Sequence, residues 1–151
     1  MLIPAGAAFS QSVIYLVRHA EKVDDSEDPP LSEAGQARAR SLANLLKDTG
    51  IKAIFSSSYQ RNVNTARPLA QALNIQPIIM HPHDFDGMMQ RIRSEFTGAP
   101  VLIVGHSDTV PAMIKKLGHP QEITLDHNEY DNLFVLVPKK EGGPVFVRLR
   151  Y

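Results

Sequence analysis

The chain has 151 residues, 43% hydrophobic and 21% charged, which is ordinary globular usage and a poor fit to a disordered or fibrous polymer. Lys and Arg number 16, as do Asp and Glu; this balance removes the broad basic face of a nucleic-acid or anionic-membrane binder and leaves room only for local basic pockets. There is no cysteine, so disulfides, zinc-thiolate sites and thiol nucleophiles are excluded, and no apolar stretch approaches the roughly 20 residues that span a bilayer.

In chain order, residues 1–12 are apolar and rich in small side chains, with Ala5-x-Ala7 and Gly6-x-Ala8 spacings. They read as a flexible tail or as what is left of an export signal, which leaves localisation open between an exported and a cytoplasmic protein. A single domain is expected over 13–151. Val13–Val17 is β-branched and aromatic, the composition of a buried strand that ends at Arg18-His19. The acidic stretch from Glu21 to Pro30 predicts a solvated loop. Ser32 then predicts an N-cap, with Ala34, Ala37, Leu42, Leu45 and Leu46 marking one face of a helix that stops by Gly50. Lys52–Phe55 predicts a strand and Gln60–Leu73 a helix that Pro68 should break or kink. Pro77–Met80 predicts a third strand, and His81-Pro82-His83-Asp84 a loop before a helix over Phe85–Phe96, whose Met88, Met89 and Ile92 face the core. Val101–Val104 is the clearest strand and runs into Gly105-His106, followed by a helix over Thr109–Leu117 with Pro111 in its first turn. Leu133–Val137 and Val145–Leu149 flank Glu141-Gly142-Gly143 as a hairpin, and the polar segment Asp126–Asn132 before it reads as a solvated connection, with a rim of the site as the other reading and no catalytic role assigned.

Alternating strands and helices predict an α/β fold, a three-layer sandwich with a mainly parallel central sheet and an antiparallel C-terminal edge hairpin. Ligands of such sheets gather beyond the carboxyl ends of the strands. That rule draws Arg18, His19, Arg61 and His106 toward one place. Two guanidiniums and two imidazoles without an obvious carboxylate suit a phosphoryl group better than a metal, because each guanidinium can give phosphate two parallel hydrogen bonds. Neighbouring arginines also disfavour a further positive charge, which keeps an imidazole neutral and free to attack phosphorus. His19 fits that part.

Leu16-Val17-Arg18-His19-Ala20-Glu21 resembles the Arg-His-Gly-Glu signature of the histidine phosphatase superfamily, the phosphoglycerate-mutase-like family, with Ala20 in the glycine position. Leu31-Ser32-Glu33-Ala34-Gly35 is similar to its Leu-Thr-x-x-Gly helix start, Ser56–Ala66 to its Ser-x-x-x-Arg-x-x-x-Thr-Ala segment, and Val104-Gly105-His106-Ser107 to its Val-Gly-His-Gly element. The resemblance implies a phosphatase of the compact branch in which His19 is transiently phosphorylated. Arg18, Arg61 and His106 surround the phosphate, and no metal or organic cofactor is needed. The substrate it implies is a phosphorylated small molecule or a phosphoprotein; neither nucleic acid nor membrane is a partner, and oligomeric state stays open.

Larger family members place a carboxylate between the third and fourth motifs to protonate the leaving oxygen. Here that stretch is short, and Asp84 is the first candidate for the acid, ahead of Asp86 and Glu21, with a helix N-cap as the other reading of Asp84. The short insert favours hydrolysis over a mutase, which must shield its phosphoenzyme from water. Two further alternatives remain. His81, His83 and Asp84 have the composition of a metal site, and Ala20 in place of glycine is compatible with a phosphate-binding module that does not turn over.

Overall fold

A computed structural model describes residues 12–151. The expectations for the first residues therefore lie outside the described part, except at Ser12. Ten elements alternate along the chain: β1 Ile14–Arg18, α1 Glu33–Leu46, β2 Ala53–Ser56, α2 Gln60–Leu73, β3 Ile78–Ile79, α3 Phe85–Glu95, β4 Val101–Gly105, α4 Thr109–Lys116, β5 Asn132–Val137 and β6 Val145–Arg150. They form one six-stranded sheet in the order β3-β2-β4-β1-β5-β6. The first four strands in that order pair in parallel, and β1–β5 and β5–β6 are antiparallel.

The strands alternate their side chains between two apolar layers, as a period of two requires. Ile14, Leu16, Phe55, Ile103 and Phe134 pack with Met88, Met89 and Ile92 of α3 and Val110, Met113 and Ile114 of α4. Val17, Ile54, Leu102 and Val104 pack on the other face with Leu42 and Leu46 of α1 and Ala66 and Leu69 of α2. Each fully buried Leu, Ile or Phe contributes about 1.5–3 kcal/mol of transfer free energy, so the parallel centre of the sheet is the firmest part of the molecule. β1 and β4 lie side by side in it, with Arg18 opposite Gly105.

Three local expectations are corrected. The buried face of α1 is Gly35, Ala39, Leu42, Ala43 and Leu46, while Ala34, Ala37 and Leu45 are exposed. Small residues form this face because the helix lies close against the chain leaving β1: a Cβ on Gly35 would sit 2.0 Å from the Glu21 carbonyl oxygen. α2 runs through Pro68 without interruption. Pro68 and Asn64, whose carbonyl would have received the missing N–H, border an open groove, where water can replace it. β3 shrinks to two residues at the sheet edge. No helix among the described residues is long and apolar enough to cross a membrane.

Candidate active site

The carboxyl ends of β1 and β4 are joined beyond the last strand pair by a hydrogen bond from the His19 amide to the Gly105 carbonyl, 2.9 Å. This places His19 and His106 side by side, with ring centroids 5.5 Å apart at an interplanar angle of 68°. Gly105 has to be glycine here, since a Cβ would stand 2.9 Å from the Val110 side chain and 3.0 Å from the Thr109 hydroxyl. That hydroxyl accepts the His106 amide at 2.9 Å. The turn from β4 into α4 is thereby closed, and the imidazole points away from the core.

α2 brings Arg61. Asn62 donates through Nδ2 to the carbonyls of Val104 and Gly105 at 3.0 and 3.1 Å, which pins the helix start to the end of β4. One turn on, the Thr65 hydroxyl donates to the Arg61 carbonyl at 2.7 Å and accepts the Ala20 amide at 2.9 Å. Asn62 and Thr65 are fully buried. Arg61 itself stacks on Tyr59, 4.4 Å from the ring centroid.

Arg18, His19, Arg61 and His106 line one cavity of about 230 Å³, whose rim adds Lys22, Ser26, Glu27, Ser107, Asp108 and His127. The four residues that the sequence draws together therefore meet. Arg18 and His19 are 4% and 3% exposed. Among the described residues the Nε atoms of Arg18 and Arg61 are buried donors without a partner, and buried donors of this kind ordinarily find an acceptor. Two guanidiniums lining one cavity suit an oxyanion.

His19 Nδ1 lies 2.8 Å from the Ala20 carbonyl. A carbonyl can only accept, so the proton sits on Nδ1 and Nε2 keeps its lone pair. Burial pushes the His19 imidazole down to about 3; the Ala20 hydrogen bond opposes this, and Arg18, Arg61 and His106 add to it. His106 is held at about 4 by burial and by Arg61, with Asp108 acting in the opposite sense. Both rings are neutral at physiological pH. The Ser57 hydroxyl and His106 Nε2 are 2.9 Å apart, which orients the second ring.

Of the two readings of the loop before β5, the rim of the site is the one that the structure favours, since His127 lines the cavity. The carbonyls of Asp126, His127 and Glu129 all accept from Arg18 Nη1, at 3.1, 2.9 and 2.9 Å, and Tyr130 lies under the guanidinium at 4.0 Å. The loop thus clamps Arg18 at the cavity wall. This clamp, and the contact of Ser57 with His106, are the features that residue patterns missed; any residue supplies a carbonyl, so the clamp leaves no compositional trace.

None of the three carboxylates proposed as acid reaches the cavity. Asp84 accepts the Gly87 amide at 3.1 Å and is the N-cap of α3, the other reading given for it. Asp86 is exposed and faces Lys116 at 3.4 Å. Glu21 is gripped by Arg38, with both oxygens 2.9 Å from Nε. Burial alone would raise its pKa, but the Arg38 hydrogen bonds and charge outweigh that and hold the carboxyl below its ordinary range. The carboxylates on the rim are Glu27 and Asp108.

The metal reading of His81, His83 and Asp84 is not met either: among the described residues no three His, Asp or Glu side chains converge as metal ligands. Ala20 is fully buried and packs with Leu31 and Ala39. Its φ is not positive, so alanine takes the glycine position without strain and without entering the cavity.

The sequence model of the histidine phosphatase superfamily (branch 1) matches residues 14–83. It stops short of the His106 element, which the fold brings to the site. A curated protein of Proteus mirabilis (strain HI4320) named "Probable phosphoglycerate mutase GpmB" is 36% identical over 66 residues, 39% of this chain and 31% of that protein. The chain thus matches about a third of the length of that relative. Among solved structures, the protein histidine phosphatase SixA complexed with tungstate superposes with a TM-score of 0.73 at 20% identity, covering 91% of this chain and 96% of that one. Phosphoserine phosphatase in complex with 3-phosphoglyceric acid, from Entamoeba histolytica, superposes with a TM-score of 0.69 at 14% identity, over 93% and 97%. At these identities the likeness is one of fold.

Proposed function

We propose that the chain, whose residues 14–83 match the sequence model of the histidine phosphatase superfamily, is a phosphatase of that type that hydrolyses a phosphomonoester, on a small molecule or a protein, through a phosphohistidine at His19. The observation that carries this is the free Nε2 lone pair of a neutral His19 beside the orphaned Nε donors of Arg18 and Arg61. In the first step Nε2 bonds to phosphorus as the ester P–O bond breaks. Arg18, Arg61 and His106 hold the equatorial oxygens, and their hydrogen bonds strengthen as charge gathers there. In the second step water attacks the phosphorus, the P–N bond breaks, and phosphate leaves with His19 neutral again.

Hydrolysis is favoured over transfer to a second hydroxyl because the rim is open. Ser26, Glu27, Ser107, Asp108 and His127 are all exposed, and nothing among the described residues roofs the cavity against water. The relative with a mutase name matches only part of the chain. What SixA and phosphoserine phosphatase act on, by their names, defines the first compounds to test.

The decisive experiment is rapid quench of the enzyme with a radiolabelled aryl phosphate. The expected result is a burst of acid-labile, base-stable protein label that maps to His19 and turns over at the rate of phosphate release. Turnover without a labelled histidine would overturn the covalent route, and no turnover on any phosphomonoester would overturn the phosphatase itself.

A further inference from the structure

A second chamber of about 190 Å³, lined by Tyr59, Arg61, Pro82, His83, His106, Asp108 and Thr109, adjoins the phosphate cavity. Arg61, His106 and Asp108 belong to both spaces, whereas His19 lines only the first and Tyr59, Pro82 and His83 only the second. The residues shared by the two cavities lie between the one that holds His19 and the one that holds His83, and a phosphoryl group bound by Arg61 and His106 would sit at that boundary. In-line displacement sends the leaving oxygen away from the nucleophile, which makes the chamber the place where the alcohol departs.

That oxygen needs a proton unless its conjugate acid is strong, and the carboxylates considered from sequence lie elsewhere. We infer that His83 is the general acid of this enzyme, donating a proton from its imidazole to the leaving oxygen; the inference rests on the phosphatase reading above. His83 Nε2 lies 4.0 Å from the Asp108 carboxylate. Its amide donates to His81 Nδ1 at 3.2 Å, and the two rings are 5.6 Å apart. The groups that face it are thus Asp108 and His81, with Arg61 and His106 across the chamber. Histidine suits an open site better than a carboxylate, because imidazole exists in both protonation forms near neutrality. Asp108, whose carboxylate faces His83 Nε2, is placed to orient the ring.

The protons balance. In the first step the His83 imidazolium gives its proton to the departing alkoxide as the P–N bond to His19 forms. In the second, neutral His83 takes a proton from the attacking water as the P–N bond breaks, so the cycle ends with imidazolium, neutral His19 and free phosphate. The short His81–Asp84 segment, which holds neither a catalytic carboxylate nor a metal set, acquires a function.

The test is the dependence of kcat/KM on the leaving group, measured with 2,4-dinitrophenyl, p-nitrophenyl, phenyl and ethyl phosphate. His83→Asn should lose less than about 3-fold on the dinitrophenyl ester and about 10²–10³-fold on the phenyl and ethyl esters, the range of general-acid assistance. Added imidazole should restore the poor substrates to His83→Gly. His83 is exposed, so both variants should fold, and Asp108→Asn should show the same selectivity to a smaller degree. Equal losses across the series, or no rescue, would overturn the assignment while leaving the phosphatase standing. No turnover of any ester by the wild type would overturn both.

Discussion

The floor of the cavity and its rim are built by opposite rules. On the floor, Arg18, His19, Ser57, Asn62 and His106 are each at most 9% exposed, and each is tied by hydrogen bonds, Arg18 to the loop before β5 and the others to a strand end, a helix start or one another. On the rim, Ser26, Glu27, Ser107, Asp108 and His127 are exposed, and the ion-pair contacts of His127 with Asp25 and of Asp108 with His83 are long, 3.9 and 4.0 Å. The contrast separates two tasks. Chemistry that depends on charge placed in advance belongs where packing locks the rotamers, while discrimination among substrates belongs where side chains can yield.

If this division is correct, effects should fall steeply from floor to rim. The largest is expected at the nucleophile: His19→Ala should lose at least ~10⁴-fold in kcat on every substrate, with an unchanged circular dichroism spectrum, and substantial residual turnover would remove His19 from its part. Arg18→Ala and Arg61→Ala should each cost roughly 10²–10³-fold and weaken vanadate inhibition.

The two arginines should also differ. Arg18 is the donor for three carbonyls of the 126–129 loop, so its loss should lower the denaturation free energy by about 1–3 kcal/mol. Arg61 has only its stack on Tyr59 and should leave stability nearly unchanged. Equal stability losses, read from urea melts, would erase the distinction between a guanidinium clamped by carbonyls and one held by a stack alone.

A pH series sharpens the comparison further. His19 and His106 sit at about 3 and about 4 in the fold, below the value near 6.5 they regain when unfolded. Between those limits the unfolded chain binds protons that the native one refuses, so their contribution to stability is full above pH 6.5 and is lost as the pH falls toward 3. The melting temperature should fall with acid more steeply for wild type than for His19→Asn, and neither imidazole should titrate above pH 5 by NMR in the absence of ligand. Smaller still, Ser57→Ala should slow turnover roughly 2–10-fold, the kinetic equivalent of one ordinary hydrogen bond. The rim change His127→Ala should alter kcat/KM by less than about 3-fold on small aryl phosphates, as expected of an exposed, screened group.

Much of the floor is legible in the sequence because its residues stand at the ends of strongly apolar strands. The runs before Arg18-His19 and Gly105-His106 announce β1 and β4, and α2 has the bounds Gln60–Leu73 that its periodicity predicts. What the sequence hides is contact made by small side chains or by backbone. Gly35 and Ala39 carry little hydrophobic signal, yet they seat α1 against the Glu21 segment. Asp84 has the same composition whether it caps a helix or faces a substrate, and only the position of the Gly87 amide separates the two. Ser57 sits in a run of three serines, and which of them meets His106 depends on the pleat at the end of β2.

Thr65 Oγ1 has a reach beyond its size. By giving its proton to the Arg61 carbonyl and receiving that of the Ala20 amide, a single oxygen sets the separation of Arg61 and the His19-Ala20 segment, which come from different motifs. The entropy of assembling the cradle is therefore settled when the chain folds, and a substrate that enters need not divert any of its affinity to drawing those groups together.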